Sequence, residues 1–307
     1  MTLTELRYLV AVARERHFGR AAEACHVSQP TLSVAIKKLE EELDVKIFER
    51  SSNEIAVTPL GQEIVRQAQV VIEQAQLIKE IAKRGRDPLA GPLRLGVIYT
   101  IGPYLLPELV RQVIERTPQM PLLLQENFTV KLLDMLRSGE LDCAILAEPF
   151  PDAGLAIAPL YDEPFRIAVP ASHPLAQRQT VSAEELKQET MLLLGNGHCF
   201  RDHVLEVCPE FARFASGAEG IQRSFEGSSL ETIKHMVAAG MGITVVPELS
   251  VPADPPPHLK FPHFAEPVPS RRVVLAWRRS FTRYEAIAAL RNAVMACGLA
   301  GVQRINA

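Results

Sequence analysis

Two cysteines nine residues apart, Cys199 and Cys208, are the side chains of this sequence best suited to redox chemistry. A thiolate attacks an oxidant far better than a thiol does, and the resulting sulfenic acid condenses with a second thiol to a reversible disulfide. His198 and Arg201 lie close to Cys199, and a helix is predicted to start there. We expect both features to favour the Cys199 thiolate, whereas Asp202 opposes this locally and could orient Arg201. Cys208 is the nearest thiol that could resolve the sulfenic acid.

The spacing of these two cysteines predicts a conformational switch. A disulfide needs Cα atoms within about 7 Å of each other. Nine residues of helix would separate the two by roughly 13 Å and place them on opposite faces. If residues 201–208 are helical, the disulfide cannot form unless the helix unwinds, so oxidation would refold this segment. Cross-linking so short a loop offers about 3 kcal/mol, which is enough to tilt a balanced two-state element.

The same segment admits two simpler interpretations. His198, Cys199, His203 and Cys208 could form a metal cluster, since Cys199 and His203 share a helix face at a spacing of four residues. Cys208 does not join them, so a metal site is not favoured, and no metal or other cofactor is expected. Alternatively, the two cysteines are unrelated thiols.

Composition and cysteine usage restrict the class of protein. Five cysteines, an odd number scattered over 307 residues, are typical of a chain in a reducing cytoplasm. The sequence starts without an apolar signal segment, which argues against a secreted solute-binding protein, and no apolar run is long enough for a membrane span. His235 and the Arg271-Arg272 pair are predicted to lie on the solvated surface. The remaining thiols are predicted to be inert packing residues: Cys25, Cys143 and Cys297.

A DNA-binding prediction has to come from local pattern, because the net charge is −3 and residues 1–58 hold 8 Lys and Arg against 9 Asp and Glu. Residues 3–43 predict a helix, a short helix, a turn at His26-Val27 and a third helix, with Ser28 as N-cap and Pro30 in the first turn. The buried face of the third helix follows helical spacing: Leu32, Ile36, Leu39 and Leu43. Several polar side chains should then be exposed: Gln29, Thr31, Ser33 and Lys37. Residues 46–50 and 54–58 predict a small β-wing around Ser51–Asn53.

The rest of the chain predicts a long helix and then an α/β domain. Thr58-Pro59 opens a helix whose apolar stripe is close to a heptad repeat, so it needs a partner, and a second copy would serve. Gly85–Pro88 ends this helix as a hinge. Beyond Gly91 the order of elements is βαβαβ, which predicts a parallel sheet with helices on both faces.

Many positions near the N-terminus resemble, in order, the winged helix-turn-helix of LysR-type transcription regulators: Leu6–Val12, Ala21-Ala22, Val27–Ser33, Ile36–Glu40, Leu43, Phe48–Arg50 and Thr58–Gly61. The resemblance extends over the whole chain, because that family also has a two-lobed α/β effector domain like that of periplasmic binding proteins. It implies an α/β chain with an N-terminal winged helix-turn-helix, a long linker helix and a C-terminal two-lobed regulatory domain. The implied divisions are a DNA-binding domain (1–58), a dimerisation helix and hinge (59–87) and a redox-sensing domain (88–307), with lobe I at about 88–163 and 267–307 and lobe II at about 164–266.

A narrower resemblance concerns the cysteines. Residues 197–202 followed by Cys208 look like the redox segment of the hydrogen-peroxide-sensing OxyR branch of this family, as do residues 229–232 and 236–240. The resemblance implies that Cys199 is the peroxidatic thiol and Cys208 the resolving thiol. It also implies a peroxide pocket between the lobes: Thr100, Thr129, His198, Arg201 and Asp202. Without the resemblance, each threonine would be interpreted as a strand or helix cap. Residues 209–222 form a longer segment than in some peroxide sensors, which could alter how freely Cys208 moves.

The family resemblance also indicates contacts with DNA and with partners. Lys37 and Arg50 would contact phosphates or the minor groove. The other implied contacts are at base edges in the major groove: Ser28, Gln29, Pro30, Thr31 and Ser33. The alternative for residues 28–30 is a simple helix cap. The implied partners are double-stranded promoter DNA, further copies of the chain in dimers and in tetramers, RNA polymerase, hydrogen peroxide as signal, and cellular thiol reductants.

Three functions therefore compete. The favoured one is a redox-switched activator of oxidative-stress defence genes. The second is a LysR-type regulator that binds a small co-inducer between its lobes. The third is a thiol peroxidase, which shares the Cys199 chemistry but leaves the winged helix and the linker helix unexplained; the chain is accordingly not predicted to be an enzyme.

Overall fold

The computed structural model describes residues 1–50, 55–83, 89–209, 226–227 and 229–305. The chain divides into two compact units, the first comprising Met1–Asp87 with Arg137–Gly139 and the second Pro88–Leu136 with Glu140–Ala307. In the described ranges, every helix is either too short or too polar to cross a bilayer. The predicted hinge at residues 85–88 lies outside the described residues, as do 210–225 of the long segment after Cys208.

The first unit is helical with a short β-hairpin: α1 (Leu3–Glu15), α2 (Phe18–Ala24), α3 (Gln29–Leu43), β1 (Phe48–Arg50), β2 (Ile55–Val57) and α4 (Pro59–Lys83). The predicted cap of α3 is confirmed, because Ser28 Oγ accepts the Thr31 N–H at 3.4 Å and Pro30 lies in the first turn. His26, at φ 54°, makes the predicted turn before it. Leu43 departs from the prediction, since it is exposed at the end of the helix.

The predicted wing is present as an antiparallel pair in which Phe48 is opposite Val57. The Glu40 carboxylate of α3 fixes its base by accepting the N–H groups of Ile47 and Phe48 at 2.7 and 3.1 Å. Residues 51–53, predicted to form the tip of the wing, lie outside the described residues.

Lobe I of the second unit is built on a mixed sheet: β3 (Leu93–Ile98), α5 (Gly102–Arg116), β4 (Leu122–Asn127), α6 (Thr129–Arg137), β5 (Cys143–Ala147), the first part of β6 (Leu155–Pro170), β13 (Ser270–Arg278), α10 (Tyr284–Ala296) and β14 (Gln303–Arg304). Strand β3 pairs in parallel with β4 and β5, which confirms the predicted βαβαβ order. Strand β13 returns antiparallel between β5 and β6. The predicted α/β class is thus confirmed.

Lobe II is built around the end of β6 and contains β7 (Thr180–Val181), α7 (Ala183–Leu186), β8 (Leu193–Leu194), α8 (Cys199–Val207), β9 (Glu226–Gly227), α9 (Leu230–Ala238), β10 (Thr244–Pro247), β11 (Leu259–Lys260) and β12 (His263–Phe264). Strand β6 changes partners in its middle, since Pro164 pairs with Ser270 whereas Phe165 pairs with Pro247. Each lobe has its own apolar core on its own side of this change.

A buried ion pair lies just before this change of partner. Arg271 on β13 faces Glu163 on β6, and their side chains are 1% and 0% exposed, with Nη2 2.8 Å from Oε2. The guanidinium also donates to the hydroxyl and the carbonyl of Thr100, at 2.8 and 3.0 Å. The prediction that Arg271 lies on the solvated surface is therefore wrong, because its charge is neutralised and its donors are satisfied inside the protein. Arg272, one residue later, is exposed as predicted.

This pair and its exposed neighbour allow a matched test of stability. Replacing Glu163 by glutamine leaves the Arg271 charge buried and uncompensated, so we expect the free energy of unfolding to fall by about 3–5 kcal/mol. Asp162→Asn removes the same kind of charge from the pair with the half-exposed Arg272 and should change stability little. Urea unfolding followed by fluorescence of Trp277, the single tryptophan, measures both. Equal losses in the two variants would contradict this assignment.

Candidate functional site

The two candidate redox cysteines lie at opposite ends of α8. Cys199 is its first residue and partly exposed, while Cys208 is its C-cap and fully buried in the core of lobe II. Neither cysteine is in a disulfide. The predicted helix is present, and the rise of nine helical residues is roughly 13 Å, well beyond the 7 Å or so that a disulfide allows. In this conformation the two sulfurs cannot be joined.

Cys199 lies beside a cavity of about 10 Å³ between the lobes. That volume is close to the minimum that admits one water molecule. Its walls come from lobe I and from the turn before α8: Ile98, Tyr99, Thr100, Asn127, Phe128, Thr129, Gly197, His198 and Cys199. The structure therefore brings together Cys199 and three of the predicted pocket residues, namely Thr100, Thr129 and His198.

The sheet of lobe I explains why the two threonines meet. Thr100 follows β3 and Thr129 follows β4, and parallel neighbours end at the same edge of the sheet. Thr100 is 3% exposed, and its hydroxyl oxygen accepts from Arg271. Thr129 is the first residue of α6, and within the described part of the chain its buried hydroxyl has no hydrogen-bond partner of ordinary geometry. Both hydroxyls can thus still donate a proton.

Burial raises the pKa of the Cys199 thiol, and this effect outweighs the Thr129 hydroxyl and Arg271, which both lower it. Asp202 raises this pKa, as expected. Positive charge at this site does favour the thiolate, as expected, but burial outweighs it. The cation that lowers this pKa is Arg271, which is distant in sequence.

Arg201 and Asp202 do not line this cavity. The Arg201 guanidinium is buried and donates to the carbonyl of Leu194 at 2.9 Å, so it holds the strand before α8. Asp202 is exposed in the first turn of α8. Neither side chain is part of the cavity wall, and Arg201 instead anchors the start of α8.

Two aromatic residues at this site are absent from the sequence-based prediction. The His198 ring packs against Phe128 and Tyr99, with centroids 4.8 and 5.9 Å apart. They cover the cavity from the side of lobe I. The sequence does contain a sign of them, since an aromatic residue directly precedes each threonine: Tyr99-Thr100 and Phe128-Thr129.

A second, larger cavity of about 210 Å³ adjoins the first and also lies between the lobes. Its polar lining includes Glu126 of lobe I and Ser229 and Glu231 of lobe II. The Tyr104 hydroxyl of α5 donates to Glu231 of α9 at 2.6 Å, which joins the lobes across this cavity.

The other thiols, and His203 of the hypothetical metal cluster, lie in packed or hydrogen-bonded surroundings away from the small cavity. His203 faces the carbonyl of Glu148, and no cluster of three or more metal-ligating side chains occurs in the described ranges. Burial raises the pKa of Cys143 and raises that of Cys297 to about 11. Cys25 is half-buried at the end of α2, and burial raises its pKa too.

The predicted DNA-contacting residues lie on the first turns of α3. Gln29, Pro30 and Thr31 are exposed, Ser33 is half-buried, and Lys37 is exposed 3.6 Å from Glu41. Ser28 both caps the helix and lies at this surface, so the cap interpretation and the DNA interpretation are compatible. The side chain of Arg50 lies outside what the structure describes.

One exposed residue of α3 went unnoticed in the sequence. Val34 is 68% exposed between the polar positions, where an apolar side chain could contact a thymine methyl group. Part of the apolar stripe of α4 is also exposed in the single chain, namely Leu60, Val71 and Ile78, whereas Ala68 is buried against the core of the first unit.

Comparison with known proteins gives two family matches. Residues 3–62 match the bacterial regulatory helix-turn-helix protein of the LysR family, and residues 86–296 match the LysR substrate binding domain. The second match alone covers more than half of the chain.

Individual relatives are similar over nearly the full length. A Pectobacterium carotovorum subsp. carotovorum protein called hydrogen peroxide-inducible genes activator is 41% identical over 292 residues, which are 94% of this chain and 95% of that protein. A cysteine-to-aspartate variant of full-length OxyR from Pseudomonas aeruginosa is 50% identical, with a TM-score of 0.78 over 100% of this chain and 98% of that one. A hydrogen-peroxide-bound cysteine-to-serine variant of Corynebacterium glutamicum OxyR is 34% identical, with a TM-score of 0.64 over 96% and 91% of the two chains. The chain therefore belongs to the LysR family of bacterial transcription regulators and, within it, to the OxyR group.

Proposed function

We propose that this chain is a DNA-binding transcription activator that responds to hydrogen peroxide by forming a reversible Cys199–Cys208 disulfide and switches on oxidative-stress defence genes. One observation carries this proposal: the two thiols lie at opposite ends of a single helix, and the first of them lines a cavity large enough for only a very small molecule. The names of the relatives agree with it, as does the presence of both cysteines.

The reaction consumes one peroxide and two thiols. The Cys199 thiolate attacks one peroxide oxygen, the O–O bond breaks, and the other oxygen leaves as water after taking a proton. The Cys208 sulfur then attacks the Cys199 sulfenic acid, and the hydroxyl leaves as a second water with the Cys208 proton. The two sulfurs lose two electrons in total, which the peroxide gains. A cellular thiol reductant would reverse the change by thiol–disulfide exchange.

The pocket can assist the first step through its hydroxyls. Because Arg271 donates to the Thr100 oxygen, the Thr100 proton is directed elsewhere, towards a bound peroxide. Among the described residues, the buried Thr129 hydroxyl has no such partner and is free to donate to the same peroxide. Hydroxyl donors at this position stabilise the negative charge that develops on the leaving oxygen. Burial raises the pKa of Cys199 whereas the Thr129 hydroxyl lowers it, so this hydroxyl also favours the attacking thiolate.

The second step supplies the switch. Cys208 must leave the core of lobe II and α8 must unwind before the sulfurs can meet. The change would alter the packing of lobe II and, through a dimer, the spacing of two DNA-binding units. The effect of residues 209–222 on this movement stays a prediction.

At the other end of the chain, α3 would enter the major groove. Gln29, Thr31 and Ser33 would read bases together with the capped Ser28-Pro30 turn, and Lys37 and Arg50 would contact phosphates or the minor groove. In this proposal residues 1–58 bind DNA, 59–87 form the linker and 88–307 sense peroxide. The exposed stripe of α4 fits pairing with a second copy, and dimers of dimers would then bind paired half-sites. RNA polymerase is the expected partner at the promoter, and the cytoplasm the expected compartment.

The 210 Å³ cavity favours one alternative, a regulator that responds to a small co-inducer held between the lobes. A ligand of that kind would raise the melting temperature without oxidation, and peroxide would have no effect on transcription. The two functions therefore differ in which compound changes the protein.

Substitution of Cys199 tests the proposed function. We expect Cys199→Ser to bind promoter DNA normally but to lose the transcriptional response to peroxide, because no sulfenic acid can form. Cys143→Ser removes a buried thiol away from the cavity and serves as the matched control, which should respond like the parent. Transcription in vitro with purified RNA polymerase, with and without peroxide, measures this. A normal response in Cys199→Ser would rule out the proposal.

Two substitutions on α3 test the assignment of the DNA-binding surface. Gln29→Ala should relax discrimination between operator and mutated operator by about 1–3 kcal/mol, because a base contact is lost. Lys37→Ala should weaken binding to all sequences and lower the salt dependence. Lys187→Ala, an exposed lysine of the second unit, is the control. Binding isotherms at several salt concentrations measure these effects; unchanged discrimination in Gln29→Ala would place the reading surface elsewhere.

A further inference from the structure

His203 connects α8 to the other lobe. It lies one helical turn after Cys199 and is 5% exposed, and its Nε2 is 2.7 Å from the carbonyl oxygen of Glu148. Glu148 directly follows β5 of lobe I. This bond therefore joins lobe I to α8, the helix that has Cys199 at its start and Cys208 at its end. Because a carbonyl oxygen only accepts, Nε2 must carry the hydrogen and Nδ1 the lone pair in the neutral ring.

The ring is held in an aromatic slot. Its centroid is 6.3 Å from that of Phe165 on β6 and 6.4 Å from that of Phe200 on α8. The Arg271 guanidinium lies over the same Phe200 ring, 5.1 Å from its centroid. Nδ1 is buried, and the described residues offer it no hydrogen-bond partner. The site therefore fits a neutral imidazole and offers nothing to a second ring proton.

We propose that His203 is a positioning residue for the redox switch: its bond to the Glu148 carbonyl keeps α8 helical until Cys199 is oxidised, and protonation of its ring in mild acid makes release of the helix easier. This inference rests on the proposed disulfide switch and deepens it, since it names a residue that sets how readily Cys208 reaches Cys199.

The mechanical part follows from position. His203 is four residues after Cys199 and five before Cys208, in the middle of the segment that has to unwind. The Cα atoms of the two cysteines are separated by roughly 13 Å of helical rise, and they must come within about 7 Å of each other before a disulfide can form. The segment cannot rearrange to that extent while its central side chain remains in the slot. The bond between His203 and Glu148 therefore opposes the second step, in which water leaves and the disulfide forms, and leaves the attack on peroxide untouched.

The acid sensitivity follows from the charges around the ring. Burial lowers the pKa of His203, the hydrogen bond to Glu148 raises it, and Arg271 of β13 lowers it. Glu206 and Asp202 on α8 itself raise it, and the net pKa lies below the ordinary value. In an unwound segment the ring would titrate near its usual pKa of about 6.5. As pH falls through that range the unwound state binds more protons, so acid favours it, and well above that range pH has no effect through this group.

Two variants separate the tether from the titration. His203→Gln places an amide N–H where Nε2 was, so it keeps a donor for the Glu148 carbonyl but cannot be protonated. His203→Leu removes both properties. His235→Gln, at an exposed histidine on α9, is the matched control. The full chain is oxidised with excess peroxide, quenched by alkylation at intervals, and analysed by mass spectrometry for the sulfenic acid and the disulfide.

The tether predicts that His203→Leu forms the disulfide from the sulfenic acid roughly twofold to tenfold faster than His203→Gln at pH 8, the effect of one lost hydrogen bond. The titration predicts that the rate for the parent protein divided by that for His203→Gln is near one at pH 8 and rises to roughly threefold to tenfold at about pH 5.5. The ratio cancels the ionisation of Cys208, which both proteins share. Equal rates in the two variants, or a ratio that does not change with pH, would overturn the proposal.

A measurement on the unsubstituted reduced protein covers variants that fold poorly. Amide hydrogen exchange, corrected for intrinsic rates, should show more frequent opening of α8 near pH 6 than near pH 8, with α9 as the internal reference. Identical opening of α8 at both pH values would also overturn the proposal. Failure of the disulfide to form in every protein would instead refute the proposed function, whereas a disulfide formed at the same rate in all would refute only the role of His203.

Discussion

The interaction on which the rest of this regulatory unit depends is the buried ion pair between Arg271 and Glu163. Burying an arginine without a counterion is strongly unfavourable. Here the Arg271 guanidinium is paired with the Glu163 carboxylate and donates to the hydroxyl and the carbonyl of Thr100. Through it, β6 and β13 fix the end of β3 at Thr100. The same guanidinium lies over Phe200, the residue after Cys199. The Arg271 guanidinium therefore fixes Thr100 in one wall of the small cavity, contacts the residue that follows Cys199, and lowers the pKa of the Cys199 thiol.

Next to this ion pair, the helix α8 keeps Cys199 and Cys208 at its opposite ends. Cys208 is buried in the core of lobe II, and burial raises the pKa of the Cys199 thiol. The small cavity and its two threonine hydroxyls lie beside Cys199. In the proposed mechanism, selectivity comes from how an oxidant fits this cavity, and the commitment to switch comes from the unwinding of α8.

Local features were predictable from the sequence, whereas contacts between distant segments were not. Apolar periodicity and helix caps predicted the helices, the wing and the parallel strands, and the resemblance of residues 197–202 and Cys208 to the OxyR redox segment pointed to the cysteine pair. Arg271 could not be placed, because a charged pair next to a strand usually faces water and only the packing of β6 against β13 buries it. For the same reason the cation near Cys199 was sought in Arg201, its neighbour in sequence.

The central claim is that peroxide joins Cys199 to Cys208 and spares the other thiols. The most direct test is a mass-spectrometric thiol map of the purified chain before and after one equivalent of hydrogen peroxide. The account predicts rapid formation of a disulfide between these two residues, with Cys25, Cys143 and Cys297 still open to alkylation after unfolding. If Cys199 remained alkylatable after peroxide, the redox switch would be contradicted, and the chain would be a LysR-type regulator that responds to a bound ligand.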